Sequence, residues 1–202
     1  RTNFMISRDK PENLINNNVT EKYKEKEKSE LFEDYLVSKN MWLQPGCYMI
    51  RMSSYEKANP KRYIYPTRTG QNWQILLPIL YYYKCGYLND PLYIYILRSD
   101  SISNSLKVSY DKEIMRLEKY EELISDTIKH MKIENADNYL ELVKSYYKQE
   151  RITVAYKYFK KKDAIKFWKQ LSYNEKNWKL FLKVILSSSR AFHKIIIICR
   201  GA

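Results

Sequence analysis

The stretch Thr67-Arg68-Thr69-Gly70-Gln71-Asn72-Trp73-Gln74, continued by Ile75-Leu76-Leu77-Pro78-Ile79-Leu80, a turn at Cys85-Gly86 and the run Pro91-Leu92-Tyr93-Ile94-Tyr95-Ile96-Leu97-Arg98, decides the reading of the fold. It strings together a loop, a helix, a glycine turn and a strand, and polar residues gather at both ends of this apolar unit. An α/β scaffold builds sites in that way, with side chains held at the ends of packed elements. Ile75, Leu76, Ile79, Leu80 and Tyr83 fall on one helical face. Proline inside a helix removes a hydrogen bond and kinks the axis unless it lies in the first turn, so Pro78 puts the expected helix start near Leu76. Tyr87-Leu88 and Leu92 to Leu97 read as strands, with Asn89-Asp90-Pro91 as the turn between them.

Upstream, residues 1–39 read as a polar connecting segment, with Asn16-Asn17-Asn18 and an alternating Glu/Lys run from Glu21 to Lys28. It carries no recognisable chemistry. Leu31-Phe32 and Tyr35-Leu36 give the spacing of a short amphipathic helix that ends before Asn40. Gly46 marks a turn, Cys47 to Met52 reads as a strand, and Lys57 to Pro66, with two prolines, reads as a loop. Downstream the character changes: no glycine lies between Gly86 and Gly201, and no proline follows Pro91. Ile114, Leu117, Tyr120, Ile124, Ile128 and Met131 form one helical stripe, and Tyr139, Leu140, Val143, Tyr146 and Tyr147 a second. Ile152 to Lys161, Ala164 to Leu171 and Trp178 to Ile198 follow, so residues 109–202 are expected to form an all-α, bundle-like extension.

The 202 residues, 45% apolar and 15% aromatic, can fold and bury a core. Charge is unevenly spread. Of 36 basic and 23 acidic residues, 15 and 3 lie from Lys144 onward, which leaves 21 and 20 before it. A tail so basic attracts polyanions, either anionic lipid headgroups or nucleic acid; a solvated lysine-rich helix face is the plainer alternative. Cys47, Cys85 and Cys199 form no Cys-x-x-Cys pair, so neither a disulfide framework nor a zinc site is implied, and a reducing cytoplasm is the expected location. The two histidines, His130 and His193, stand in separate helical contexts, which argues against histidine-based catalysis. No apolar run reaches the length of a membrane span, and Ile195-Ile196-Ile197-Ile198-Cys199 is too short. There is no secretory signal at the start, and because the chain opens on Arg1 it reads as a processed product or an excised piece.

As an ordered set, Gly70-Gln71-Asn72-Trp73-Gln74 with Leu77-Pro78, then Tyr87, Pro91-Leu92-Tyr93, Tyr95, Arg98 and Ser101-Ile102-Ser103, resembles the acceptor-side half of bacterial family-two glycosyltransferases. Gln44-Pro45-Gly46-Cys47-Tyr48-Met49-Ile50-Arg51 resembles the strand that precedes it in that family. The likeness spans residues 40 to 105, about a third of the chain. It implies that residues 40–108 are the C-terminal part of a GT-A (Rossmann-like) catalytic domain, with residues 1–39 leading into it and the helices of 109–202 appended. In that family the donor nucleotide and a divalent metal, manganese or magnesium, sit on an N-terminal half that bears paired aspartates. This chain contains no Asp-x-Asp and no Gly-rich strand-to-helix turn. The expectation is therefore a donor half encoded upstream, and a fragment that binds no metal and is inactive alone.

The position that matches Gln71-Asn72 is an acidic pair in many relatives, where an aspartate takes the acceptor proton. An amide cannot do so near neutral pH. Two readings of Asn72 stay open: contact with sugar hydroxyls, together with Gln71, or capping of the following helix. Asp90 and Asp100 are the other carboxylates nearby. Trp73 reads either as a platform for a sugar ring or as a core side chain. The resemblance implies that Arg98, Ser101 and Ser103 close over the donor diphosphate, which a guanidinium binds bidentately; an Arg98–Asp100 ion pair is the alternative. Arg68, beside Gly70, is a second candidate for that work.

Phe159, Phe167, Trp168, Trp178, Phe181 and Phe192 interleave with lysines such as Lys160-Lys161-Lys162. That pattern suits an anionic membrane surface contacted through residues 144–202, with core aromatics beside solvated lysines as the commoner alternative. It suits single-stranded nucleic acid less well, since no nucleic-acid motif accompanies it. The reading is then a transferase that moves a sugar from a nucleotide-sugar donor to a surface-glycan or lipid-linked acceptor at the cytoplasmic face of the membrane. Its rivals are a non-catalytic membrane- or nucleic-acid-binding helical module with a degenerate transferase site, and a helical scaffold that assembles partners.

Overall fold

A computed structural model describes residues 1–16, 28–38, 45–67, 69–98 and 109–188. The fold is mixed α/β. Its strands are β1 (Thr2–Arg8), β2 (Leu14–Asn16) and β3 (Leu88–Leu97), and its helices are α1 (Lys28–Leu36), α2 (Met52–Ala58), α3 (Gln71–Tyr82), α4 (Tyr110–Met131), α5 (Ala136–Lys157), α6 (Lys161–Lys169) and α7 (Trp178–Leu186). Single 3-10 turns lie at Pro45–Cys47 and Tyr173–Glu175.

The sheet runs in the order β2-β1-β3. β1 is antiparallel to β2 and parallel to β3, with Met5, Ile6, Ser7 and Arg8 opposite Ile94, Tyr95, Ile96 and Leu97. The middle strand thus lies inside the segment read as a polar connection over residues 1–39, and that expectation fails for Thr2–Arg8. The cause is a strand buried on both faces, one of which carries the polar Asn3 and Ser7. Asn3 and Ser7 are buried beside Phe4 and Ile6. Asn3 accepts from the Phe4 N–H at 2.9 Å, and the Ser7 hydroxyl donates to the Lys10 carbonyl. Buried polar groups satisfied in this way keep the strand from reading as an apolar run.

β3 is one strand, not two. Leu88 lies opposite Thr2 and Pro91 opposite Asn3, so Asn89 and Asp90 are extra residues on the β3 side. The turn expected there is a bulge within an edge strand, where a proline is tolerated. The strand expected at Cys47 to Met52 is also absent: a 3-10 turn ends at Cys47, and Met52 already opens α2.

α3 begins at Gln71, so Pro78 lies deep inside it and not in a first turn. Burial outweighs the bond that proline forfeits: Trp73, Leu76, Leu77 and Leu80 of this helix are all in the core, against α1. Edge-on aromatic contacts join Phe32 of α1 to Tyr81 at 5.2 Å and to Tyr139 at 5.0 Å.

The chain divides into two compact units, Arg1–Ser105 with Glu122–Leu140, and Leu106–Glu121 with Glu141–Ala202. The division falls within α4 and α5, where the sequence suggested a break at residue 109. In the second unit Ile152, Ala155, Ala164, Leu171, Leu180 and Val184 form a core. Arg151 pairs with Glu121 at 2.5 Å, and the buried Glu113 receives both Lys157 at 2.5 Å and the Tyr158 hydroxyl at 2.9 Å. The helical character of 109–202 is as expected over its described part. α5 is continuous where two helices were anticipated, and α7 is assigned as far as Leu186. Among the described residues no helix is long and apolar enough to cross a membrane.

Candidate functional site

The start of α3 organises the site. Gly70 holds φ at +73°, and a Cβ there would lie 2.8 Å from both the Leu123 side chain and the Trp73 ring. Glycine alone meets both conditions, and it stands as the residue that opens the helix, with no side-chain cap. Asn72 lies inside α3, so capping is not its role. Just upstream the Thr67 hydroxyl accepts the Thr69 N–H at 3.2 Å, and the Gln71 amide donates to the Thr67 carbonyl at 3.4 Å. Gln74, buried, uses both ends of its amide on the Tyr65 backbone: it accepts the N–H and donates to the C=O at 3.1 Å. Local bonds therefore fix the loop before the helix.

On this frame Gln71 is exposed and Asn72 half-buried. The Asn72 Oδ1 accepts a hydrogen bond from the Tyr48 hydroxyl at 3.0 Å. Burial, and then the Cys47 thiol, push the Tyr48 phenol up from its ordinary value. It stays protonated and donates across the neutral range, and it is no general base there. Trp73 is buried, and its indole N–H donates to the Tyr35 carbonyl at 2.8 Å. The two rings lie 6.0 Å apart. Of the two readings of Trp73 the structure takes core packing: the ring faces protein, with no open surface for a sugar.

A cleft of about 510 Å³ opens beside these residues. It is lined by Arg1 and Thr2, by Gly46 to Met49, and by Gly86 to Leu88 with Leu92. Gly46 is required at this point, because a Cβ would fall 2.2 Å from the Tyr93 ring. Arg1 lies over the Tyr87 ring at 4.8 Å, and the Tyr87 hydroxyl donates to Asn89 at 3.2 Å. Leu92 and Met49 stand exposed at the rim. Tyr48 links the cleft to Asn72. Arg98 is exposed just past the end of β3 and lines neither this cleft nor the second pocket below; Gln71, Asn72 and Trp73 line neither as well. Asp90, exposed in β3, is also outside both linings. Arg68, Asp100, Ser101 and Ser103 lie outside the described residues.

The sequence reading singled out Gly70, Gln71, Asn72 and Trp73 but passed over Tyr48, Tyr87 and Leu92 as site residues, although the quoted motif contains them. Nor did it find a second pocket of about 460 Å³, which collects Lys57, Lys61, His130 and Lys132 from separate segments. No contiguous motif signals that grouping. Among the described residues no group of three or more His, Cys, Asp or Glu side chains is placed to hold a metal ion, so the divalent metal implied by the resemblance has no fitting donor set here. No protein-family model matches the chain, and no curated protein or solved structure matches it.

Proposed function

We propose that this chain is the acceptor-side part of a family-two-like glycosyltransferase, moving a sugar from a nucleotide-sugar donor to a surface-glycan or lipid-linked acceptor. One observation carries the reading. Segments far apart in sequence, Arg1-Thr2, Gly46–Met49 and Gly86–Leu88 with Leu92, line a single cleft, and Tyr48 of that lining bonds to Asn72. An acceptor lies along this cleft. The Asn72 amide, its oxygen engaged by Tyr48, holds that phenol in place at the cleft. Neither amide of the Gln71-Asn72 pair can take the acceptor proton, and the raised Tyr48 phenol does not either, so in this reading the base and the metal ligands are other residues than these three.

Arg98 supplies a fixed positive charge at the end of β3, suited to a diphosphate leaving group. In the full-length protein, supplied with manganese and a panel of nucleotide sugars, Arg98→Ala is expected to lower sugar transfer at least tenfold. Undiminished transfer removes Arg98 from the phosphate role.

A second reading, membrane attachment with or without catalysis, is favoured by α7. Trp178, Phe181, Leu182 and Ile185 follow the i, i+3, i+4, i+7 spacing of one helical face, and all four are exposed. Lys179 lies over the Trp178 ring at 5.8 Å. An apolar helical stripe edged by lysines fits the headgroup region of an anionic bilayer, and a transferase acting on a lipid-linked acceptor would use it. Co-sedimentation with phosphatidylserine vesicles is expected to fall as salt rises and to drop severalfold in Phe181→Asp. Salt-independent binding, or equal binding to neutral vesicles, contradicts the attachment. Binding by a full-length protein that transfers no sugar would favour the non-catalytic module.

A further inference from the structure

The second pocket lies in the first unit and shares no residue with the cleft. Its buried residues are Ala58, Gln74, Pro78 and Thr127, and its lining as a whole is more apolar than polar. One wall is the Tyr63–His130 pair, two rings stacked 3.6 Å apart at 8°. The turn that shapes the mouth is braced by Asn59, which donates to the Tyr55 hydroxyl at 3.1 Å and the Tyr63 carbonyl at 3.0 Å and accepts the Tyr63 N–H at 3.1 Å. These bonds tie the turn to α2 and to Tyr63.

Three cations stand around it, Lys57 at the end of α2, Lys61 two residues past the braced Asn59, and Lys132 just after α4, where φ is +50°. No carboxylate among the described residues pairs with any of them. The contrast lies next door: Arg62 is satisfied by Glu56 at 2.5 Å, and the one carboxylate beside the aromatic wall, Asp126, lies 3.4 Å from His130, an ion pair only when that imidazole is protonated, so three lysines stand against a single acid. The charge left over at the rim is therefore positive, above a lining more apolar than polar and beside an aromatic wall. The volume, about 460 Å³, suits a small organic molecule and exceeds the needs of a bare anion.

We propose that this pocket binds a phosphate ester of a planar, partly apolar molecule. The phosphate sits among Lys57, Lys61 and Lys132, and the planar body lies on the buried residues and extends the Tyr63–His130 stack. The inference does not rest on the sugar-transfer reading, because the lysines, the buried residues and the stacked pair lie apart from the cleft. A basic protein attracts anions everywhere, so the test needs a control of equal charge. Fluorescent methylanthraniloyl-ADP is titrated into the full-length protein, with ADP, inorganic phosphate and adenosine as competitors. Saturable one-to-one binding is expected, displaced by ADP far better than by phosphate or adenosine. Lys57→Ala/Lys61→Ala/Lys132→Ala is expected to weaken it at least tenfold, and Lys61→Glu alone at least fivefold. Lys161→Ala/Lys162→Ala/Lys166→Ala, which removes the same charge from the exposed face of α6, is expected to leave it unchanged. The lysines are exposed, so thermal unfolding should match the parent protein. Absence of saturable binding, or equal weakening in both triple variants, overturns the proposal.

Discussion

Trp73→Ala is expected to destabilise the protein by about 3–5 kcal/mol, the usual cost of emptying a large aromatic site in a core. The indole is buried, its N–H is the donor to the Tyr35 carbonyl, and a Cβ on Gly70 would touch its ring. Removing it opens a cavity where α1 meets α3 and withdraws a donor from a buried carbonyl. Trp73→Phe separates the two effects. It keeps most of the volume but not the N–H, and should cost about 1–2 kcal/mol plus a smaller packing loss. Urea unfolding of the parent and the two variants measures this, through the shift in midpoint at constant slope. A sugar platform would behave differently, because its loss weakens ligand binding and leaves the midpoint nearly in place. If Trp73→Ala shifted stability by less than about 1 kcal/mol, the packing of α1 on α3 described above would be wrong.

Apolar periodicity carried much of the fold. The stripe from Ile114 to Met131 is α4, the pairs Leu31-Phe32 and Tyr35-Leu36 are α1, and Ile75, Leu76, Ile79 and Leu80 of the expected face belong to α3, which ends one residue before Tyr83. Where reading failed, a local rule lost to a tertiary interaction. The proline rule moved the start of α3 to Leu76, but four buried side chains and a left-handed glycine at Gly70 set it at Gln71. Asn89-Asp90-Pro91 has the composition of a turn, yet pairing with β1 makes it a bulge. β1 escaped notice because Asn3 and Ser7 are buried with their polar atoms bonded locally, which a hydropathy pattern cannot register.

The candidate site was legible in part. Glycine's role at Gly70 and Gly46 follows from the chain's shape, and both fall within the motif that the resemblance picked out. That Tyr48 reaches Asn72 across 24 positions of sequence, or that two segments far apart in sequence bring three lysines and a histidine to one pocket, is set by packing. No spacing rule encodes it.

The cleft between Gly46–Met49 and Gly86–Leu92 can be filled without disturbing the core. Leu92 is 69% exposed on its rim, and an indole there would occupy much of the space that the proposed function assigns to an acceptor. Sugar transfer by the full-length protein, followed as radiolabel passed from a nucleotide sugar to a glycan or lipid-linked acceptor, is the direct measurement. Leu92→Trp should abolish it, at least a hundredfold, while the unfolding midpoint stays within about 0.5 kcal/mol of the parent, as for most surface substitutions. Transfer that persists at the parental rate with the cleft filled would contradict the assignment of these segments as an acceptor wall.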